Sequence, residues 1–406
     1  MENPQAISQL ATSAINPAIL QTHRHPASAR SSHIENTLAA LLAEADVLIG
    51  GNRPWDMHIH HPKTAARILA HGSLGLGESY MEGWWDCAQL DELISHLLTA
   101  RLDERVGTTM LLMQTLRARL FNLQNLRRAW QVGEVHYDIG NDFFEAMLDG
   151  HMTYTCGYWE SAQTLEEAQI AKLDLVCTKL GLKPGMRLLD IGCGWGSLMR
   201  YAAERYQVSC VGLTISREQA EHGQKRCSGL PVEFRMIDYR DFGRKPGTTE
   251  KFDCVASIGM FEHVGHKNYR QFFAVAQRCL REDGLFLLHT IGKNQRRMPT
   301  DPWIDRYIFP NGAVPTLSQI GDASEDFFII EDVHNFGADY DKTLLAWHAR
   351  FEAALPRFTA HHSEKFRRMW RYYLLACAGT FRARTNQLWQ VVLSPKGLQG
   401  GYRRPT

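Results

Sequence analysis

The sequence lacks a cysteine framework, a strong net charge and any long apolar run. Its nine cysteines are scattered over 406 residues with no C-x-x-C pair, which argues for reduced thiols in a cytosolic compartment rather than disulfides or a zinc framework. The formal net charge is only +1, so the bulk basic field that nucleic-acid binding usually shows is missing. No stretch reaches the ~18 apolar residues that span a bilayer. Any action on a membrane is therefore expected from its surface.

The N-terminal third shows neither a secretory signal nor a strand pattern. Residues 1–32 contain no charged segment followed by an apolar block, so we expect residues 1–35 to be a flexible tail. A helix is expected to begin at the cap Ser32 and to stop at Gly50 and Gly51. No run alternates with period two before about residue 185. Residues 36–130 are therefore predicted to form a helical domain, and residues 131–406 a second domain.

Acidic residues are also absent between Arg105 and Gly133. Four apolar residues in this span recur at helical spacing: Met113, Leu116, Leu120 and Leu123. Its arginines are Arg105, Arg117, Arg119, Arg127 and Arg128. A basic amphipathic helix of this kind can lie on an anionic membrane. The alternative is a helix that packs on its neighbour and keeps its arginines in solvent.

After residue 165 the sequence alternates between helix and strand patterns. The apolar segments that read as strands are "MRLLDIG", "VSCVGLTI", "VEFRMIDY", "FDCVASIGM" and "GLFLLHTIG". Helical patterns such as "CGWGSLMRYAAERY" and "NYRQFFAVAQRCLRED" separate them. This alternation predicts a parallel, doubly wound α/β sheet. The late segment "NQLWQVVL" is expected to add one more strand at the sheet edge.

A glycine turn follows the first of these strands. Gly192, Gly194 and Gly196 form G-x-G-x-G between a strand and a helix, where glycine lets the backbone approach a ligand closely. The spacing fits neither the dinucleotide fingerprint nor a phosphate loop. With Asp190 on the strand, the pattern D-x-G-x-G-x-G is similar to the first motif of S-adenosylmethionine methyltransferases. The second strand departs from that class, because "VGLTISREQ" has no acidic residue for the ribose.

The segment "FDCVASIGMFEHVGHKNY" ends an apolar strand in Glu262 and His263, with His266 three residues later. These residues allow a metal site, a catalytic acid–base pair or an ordinary strand exit. The histidine spacing with one glutamate is a weak zinc signal, and the cysteines show no matching cluster. A position at the carboxyl end of a strand is where doubly wound sheets carry their chemistry.

Together these segments resemble the bacterial cyclopropane-fatty-acyl-phospholipid synthases. The motifs that carry the resemblance run from about residue 70 to 395 and include "GSLGLGESYMEGWW", "VHYDIGNDFF", "YTCGYW", "LDIGCGWGSL", "GMFEHVG", "LLHTIG", "DPWIDRYIFPNG", "HNFGADYDKTLLAW" and "ACAGTFRARTNQLWQVV". The first of them favours the full-length bacterial synthases over the shorter mycolic acid methyltransferases. Thr155 stands where the family more often has serine. The resemblance implies a class I methyltransferase (Rossmann-like) sheet in residues 131–406.

The resemblance also implies a reaction and its residues. A phospholipid alkene attacks the methyl group of S-adenosylmethionine, and loss of a proton to a bound bicarbonate closes a cyclopropane ring. The residues implied for bicarbonate and catalysis are Glu262, His289, Tyr340, the backbone amides of Cys156 and Ile291, and an active-site cysteine at Cys377. The residues implied for the cofactor are Tyr137, Asp138, Tyr154, Asp190, Gly192, Cys193, Gly194, Trp195, Gly196, Thr214, Ser216, Gln219, Asp238 and Tyr239. Tyr239 is expected to stack on adenine, and Asp238 to accept from its amino group.

The environment of the reaction follows from its chemistry. Exposing a lipid chain to water costs about 0.8 kcal/mol per methylene, so we expect the protein to dock on the membrane. Its reduced thiols indicate the cytoplasm, which makes the inner membrane surface the expected place. The resemblance implies a homodimer, and no nucleic-acid partner is expected.

A rival function within the same class is methylation of an alkene or a small amine without ring closure. A rival outside it is an inactive lipid-binding protein, against which Glu262, His289 and Tyr340 argue.

Overall fold

A computed structural model describes residues 26–104, 140–244, 249–296, 300–358 and 362–405, with side chains from residue 33 onward and without that of Glu104. The basic span from Arg105 to Arg128 lies outside the described residues, and so do Tyr137 and Asp138. Within the described residues, no helix is both long and apolar enough to cross a membrane.

The strands are β1 His58–Ile59, β2 Trp85–Asp86, β3 Arg187–Ile191, β4 Ser209–Thr214, β5 Val232–Met236, β6 Phe252–Ile258, β7 Leu280–Lys293, β8 Ile329–Asn335 and β9 Asn386–Ser394. The helices are α1 Pro26–Glu44, α2 Thr64–Met81, α3 Leu90–Thr99, α4 Asn141–Met147, α5 Leu165–Lys179, α6 Ser197–Tyr206, α7 Arg217–Arg226, α8 Tyr269–Cys279, α9 Pro302–Tyr307, α10 Leu317–Ser324, α11 Ala338–Phe358 and α12 Glu364–Arg382. Short 3₁₀ turns cover Leu102–Glu104, Phe261–His263 and His266–Asn268.

The main sheet confirms the doubly wound prediction. Its described strands lie in the order β5-β4-β3-β6-β7-β9-β8. The five strands from β5 to β7 are parallel, and helices follow β3, β4 and β6 as the alternating pattern predicts. β9 runs antiparallel to both β7 and β8. The order reverses at β3, so the carboxyl ends of β3 and β6 open a crevice for a ligand.

The prediction for "NQLWQVVL" is half right. The segment forms β9, but β9 lies between β7 and β8 instead of at the edge. Every residue of β9 after Asn386 is buried, as expected for a strand covered on both faces. The edge strand on this side of the sheet is β8, which was not predicted from the sequence, and its Ile329 is 50% exposed.

Two predictions for the N-terminal region are wrong. Ser32 lies inside α1 instead of capping it, because the helix already begins at Pro26, a residue suited to a first helical turn. The helix also ends before Gly50. Asp46 takes a left-handed φ of 55°, and the amide of Val47 donates to the carbonyl of Leu42, which closes the helix C-terminus.

The region is also not purely helical, since β1 and β2 pair as an antiparallel ribbon. Strands of two residues are too short to show a period-two pattern.

The N-terminal helices share one hydrophobic core with the second half of the chain. Trp85 and Trp370 belong to the same buried cluster. At the contact between α3 and α12, a Cβ on Gly379 would lie 2.6 Å from the carbonyl oxygen of Asp91. Glycine at this position therefore lets the two helices approach closely. The boundary predicted at residue 130 stays a prediction, because residues 105–139 lie outside the described ranges.

Candidate active site

The glycine turn after β3 has the predicted geometry. Gly192, Gly194 and Gly196 all take positive φ, at 85°, 55° and 80°. A Cβ on Gly192 would lie 2.5 Å from Cγ of Met260, whereas a Cβ on Gly194 would meet no atom within 4 Å. The turn therefore leaves an open cradle at the carboxyl end of β3.

A pocket opens over this cradle. The predicted cofactor residues that line it are Tyr154, Asp190, Gly192, Cys193, Gly194, Trp195, Thr214, Ser216, Gln219, Asp238 and Tyr239. Gly196 does not line the pocket but precedes α6 as its cap residue. A Cβ on Gly196 would lie 2.5 Å from the ring of Phe234, so this glycine serves helix packing. The fold thus brings most of the predicted set together.

One polar group in the pocket lacks a partner. Asp190 is buried, and burial raises its pKa to about 7 while the nearby Lys172 opposes that rise. Its Oδ1 has no hydrogen-bond partner among the described residues. Buried polar atoms of this kind are rare in proteins and call for a ligand or another explanation.

Lys172 also lines the pocket, although its role was not predicted from the sequence. Its Nζ donates to Oγ1 of Thr155 over 2.9 Å, and burial lowers its pKa to about 8. The available signal was periodicity, because Lys172 falls four residues after Ala168 and four before Val176, on the buried face of α5. A lysine at a core position of an amphipathic helix indicates a specific partner.

The neutral side chains after β4 accept hydrogen bonds from nearby backbone amides. Oγ1 of Thr214 accepts from the amide of Ser216 over 3.1 Å. The Ser216 hydroxyl in turn caps α7 by accepting from the amide of Gln219 over 3.3 Å. Neither bond uses the hydroxyl hydrogen, so both side chains can still donate to another acceptor. Neutral donors are therefore available where other methyltransferases have a carboxylate.

Asp238 is held by its neighbour Arg240. Nε and Nη2 of Arg240 donate to Oδ1 and Oδ2 of Asp238 over 2.8 and 2.7 Å. A carboxylate offers about four acceptor positions, so Asp238 can still accept from an adenine amino group. Tyr239 packs edge-on against Phe272, with ring centroids 5.4 Å apart.

Glu262 lies at the exit of β6, in the 3₁₀ turn Phe261–His263. Its Oε1 accepts from the backbone amide of Ile291 over 2.7 Å, and its buried Oε2 has no partner among the described residues. Burial raises the pKa of Glu262 to about 7. The amide of Ile291, expected to bind an anion itself, is thus engaged in orienting Glu262.

His289 comes from the adjacent strand β7, where it pairs with Ile258 of β6. The ring is buried, its Nδ1 lies 3.3 Å from Nε2 of Gln390, and its Nε2 has no partner among the described residues. Burial holds the pKa of His289 well below its usual value, so the imidazole is neutral. Glu262 and His289 therefore each present one unsatisfied polar atom.

Of the other predicted residues, Tyr340 and Cys156 are buried and Cys377 is half-buried. Burial raises the pKa of Tyr340, and the nearby carboxylate of Glu262 raises it further. The Sγ of Cys156 is 3.2 Å from the carbonyl of Gly157, and burial raises the pKa of this thiol. Burial also raises the pKa of Cys377 to about 12. Both cysteines are therefore protonated thiols, which are poor nucleophiles.

Two histidines, His263 and His266, follow Glu262 in the sequence. His263 is half-buried and lines the pocket, with its ring centroid 5.8 Å from that of Phe309. Burial lowers the pKa of His263 to about 4 and also lowers that of His266. Among the described residues, no group of three or more His, Cys, Asp or Glu side chains could hold a metal ion.

The chain is similar to proteins of known function over most of its length. The family model for mycolic acid cyclopropane synthetase matches residues 124–391. The cyclopropane-fatty-acyl-phospholipid synthase of Escherichia coli (strain K12) is 53% identical over 366 residues, which cover 89% of this chain and 94% of that protein. The chain belongs to the cyclopropane synthase family. It is an S-adenosylmethionine-dependent methyltransferase, as the sequence motifs predict.

Solved structures agree with this assignment. The mycolic acid cyclopropane synthase CmaA1, complexed with SAH and CTAB, superposes with a TM-score of 0.60 at 37% identity, over 65% of this chain and 97% of that one. Coclaurine N-methyltransferase superposes with a TM-score of 0.65 at 22% identity, over 79% of this chain and 98% of that one. The second likeness concerns the fold alone and confirms the class I methyltransferase architecture.

Proposed function

We propose that the protein converts the cis double bond of an unsaturated acyl chain, esterified in a membrane phospholipid, into a cyclopropane ring. The observation that carries the substrate class is the extent of the similarity. The E. coli phospholipid synthase matches 89% of this chain, whereas cyclopropane mycolic acid synthase 1 of Mycobacterium tuberculosis matches 61%. The larger match favours a phospholipid over a mycolic acid.

The residues at the cradle fit S-adenosylmethionine. The open side of Gly194 admits a ligand against the backbone, and the unpartnered Oδ1 of Asp190 is an acceptor for a ligand N–H or O–H. Thr214 and Ser216 offer hydroxyls for the ribose, and Tyr239 offers a ring for adenine. When bound, S-adenosylmethionine supplies an electrophilic methyl group. Tyr137 and Asp138, which lie outside the described residues, stay part of the proposal.

The residues at Glu262 fit a small anion with one hydroxyl. Oε2 of Glu262 is free to accept a hydrogen bond, and Nε2 of His289 is free to take part in another. Both atoms are buried, so leaving them unsatisfied costs about 1–3 kcal/mol each. Bicarbonate has one O–H for the carboxylate and oxygens for a donor, and when bound it supplies a base. Tyr340 and the amide of Cys156 remain proposed partners of the same ion.

The side chains around the site also suit a cationic intermediate on the lipid. Tyr154 donates to or accepts from the hydroxyl of Tyr373 over 2.9 Å, and its ring lies 5.1 Å from that of Trp347. Tyr340 lies 4.5 Å from the ring of Phe381. Aromatic faces stabilise a nearby cation, and their packing excludes water that would otherwise capture it. Protein residues thus bind, orient and shield the reacting alkene.

The reaction is tested with purified protein, S-adenosylmethionine and vesicles of a mono-unsaturated phospholipid. The released fatty acids are analysed by mass and by mild hydrogenation. We expect a gain of one CH2 unit with loss of the double bond. A gain of CH2 with a double bond that is still reducible would indicate alkene methylation instead. No lipid product, with the cofactor bound, would move the assignment to a small-molecule methyltransferase or an inactive lipid-binding protein.

A further inference from the structure

A buried polar chain runs behind His289, on the side away from its unpartnered nitrogen. Nζ of Lys179 lies 2.8 Å from Oε1 of Gln390, and Nε2 of Gln390 lies 3.3 Å from Nδ1 of His289. Nζ of Lys179 is also 2.9 Å from Nδ1 of His334. Lys179, Gln390 and His289 are all buried. A buried lysine between two neutral side chains is unusual, and nothing in the proposed reaction uses it directly.

The chemistry of these groups determines which atoms donate. A lysine ammonium has three N–H donors and no acceptor, so the atom of Gln390 that faces it must be the carbonyl oxygen. The amide nitrogen of Gln390 then faces His289 and can only donate. Nδ1 of His289 must therefore accept, which leaves the proton of the neutral imidazole on Nε2.

Partial deprotonation of Lys179 does not change which of these atoms donate and which accept. Burial lowers the pKa of Lys179 to about 7, but the neutral amine keeps two N–H bonds. Its two neighbours, Nδ1 of His334 and Oε1 of Gln390, are both acceptors for those bonds. The orientation of Gln390 is therefore retained in both charge states.

We infer that Lys179 and Gln390 are positioning residues that hold His289 as its Nε2–H tautomer, so that His289 donates a hydrogen bond to the anion at Glu262. This inference rests on the proposed function for the anion, but the tautomer itself does not depend on it. Second-layer hydrogen bonds commonly set histidine tautomers in active sites. The arrangement assigns opposite roles to the two unsatisfied atoms: Oε2 of Glu262 accepts and Nε2 of His289 donates.

The direct test is the ring-nitrogen spectrum of ¹⁵N-histidine-labelled protein above neutral pH. The His289 signals are assigned by their loss in His289→Asn. We expect a protonated Nε2 and a bare Nδ1 in the wild type. In Gln390→Glu both side-chain oxygens accept, so His289 must donate from Nδ1, and we expect its two nitrogens to exchange roles. Cyclopropanation by this variant should fall by about tenfold or more, as for loss of one preorganised donor, while affinity for S-adenosylhomocysteine stays unchanged.

The matched control is Gln387→Glu on the same strand. Gln387 is also buried, but it bonds to Asn335 and Arg384 and not to His289. This variant should leave the His289 spectrum and the activity unchanged. If Gln390→Glu does not fold, Gln390→Met serves instead and should give mixed tautomers.

A protonated Nδ1 in the wild type, or full activity in Gln390→Glu, would overturn the inference. Because the spectrum needs no turnover, it decides the tautomer even if the lipid assay shows no cyclopropane. In that case the proposed function fails while the assignment of the hydrogen-bond chain stands.

Discussion

Among single residues, a buried carboxylate that is paired with a cation can be told apart from a buried carboxylate that is available for the reaction. Asp56 is a buried carboxylate whose pKa lies well below its usual value because Arg53 donates to it. Glu262 is a buried carboxylate whose pKa burial raises to about 7, with only hydrogen bonds such as that from the amide of Ile291 to oppose the rise. Desolvation and pairing shift carboxyl pKa values in opposite directions. The contrast favours Glu262 as a group that acts in the reaction.

The pKa of Glu262 predicts a pH dependence. The proposed role needs the carboxylate, which is protonated below about pH 7 and ionised above it. We expect kcat/KM for the lipid to rise with pH through about 7 and then level off, when bicarbonate is held at a constant concentration. Glu262→Gln should lower kcat by about 100-fold or more, as for loss of one preorganised hydrogen-bonding group, and should abolish this rise.

Glu325→Gln is the control for that measurement, because Glu325 is exposed beyond the end of α10. Its pH profile should match the wild type. His289 stays neutral across this range, since burial holds its pKa well below the usual value. A rise through pH 7 that persists in Glu262→Gln would assign the titration to another group.

At the scale of elements, the strand–turn–helix unit from β3 to α6 places the backbone against the pocket. The left-handed φ of Gly192 is 85°, and Gly185, in the turn before β3, has the same φ. Their surroundings differ, because a Cβ on Gly185 would meet no atom within 4 Å, whereas one on Gly192 would lie 2.5 Å from Met260. A substitution at Gly185 therefore tests backbone strain alone, whereas a substitution at Gly192 tests backbone strain and crowding at the cradle together.

We predict that alanine has different effects at these two glycines. Gly185→Ala should lower the free energy of unfolding by about 1–2 kcal/mol, the usual penalty for left-handed backbone, without changing cofactor affinity. Gly192→Ala should lower stability further and should also weaken S-adenosylhomocysteine binding by about tenfold or more, about 1.4 kcal/mol. Chemical denaturation and calorimetry measure both effects. Equal cofactor affinity in the two variants would show that Gly192 does not shape the cradle.

Considering the chain as a whole, two basic segments are candidates for the surface that contacts the membrane. A second basic segment of the sequence, "KFRRMWRYY", lies in α12. In the structure its arginines pair internally: Arg368 donates to the carbonyls of Tyr80 and Trp85 over 2.5 and 2.9 Å, and Arg371 pairs with Glu352 over 2.6 Å. The Arg368 bonds hold α12 to α2 and β2, and the Arg371 pair holds it to α11. They favour the span from Arg105 to Arg128 as the docking element.

We predict that replacing four arginines of that span by glutamine weakens binding to anionic vesicles. Each arginine near an anionic surface contributes about 1 kcal/mol, so the loss should exceed about tenfold in the vesicle partition coefficient. The arginines replaced are Arg117, Arg119, Arg127 and Arg128. Co-sedimentation with vesicles measures the effect, and affinity for S-adenosylhomocysteine should be retained.

A matched variant removes the same charge from elsewhere on the surface. The four exposed arginines replaced there are Arg244, Arg270, Arg281 and Arg296. This control should sediment with vesicles as the wild type does. Equal sedimentation of both quadruple variants would remove the docking assignment.

The local sequence was sufficient for the parts of the protein that depend on local geometry. The turn from Gly192 to Gly196 follows from glycine spacing between a strand and a helix, and the parallel order follows from alternating patterns. The position of β9 did not follow from the sequence, because an interior and an edge strand of mixed sheets can share one apolar pattern. The two-residue strands β1 and β2 were missed because they have no period.

The tertiary structure alone decided how distant polar groups pair. Lys172 reads as an ordinary helical lysine until packing places it in the pocket with Thr155. Likewise Lys179 and Gln390, 211 residues apart, meet only through the sheet. The sequence motifs and the family resemblance that they carry were enough to indicate the cofactor and the reaction class. The protonation states of Glu262 and His289 depend on burial and on long-range hydrogen bonds, which only the folded chain creates.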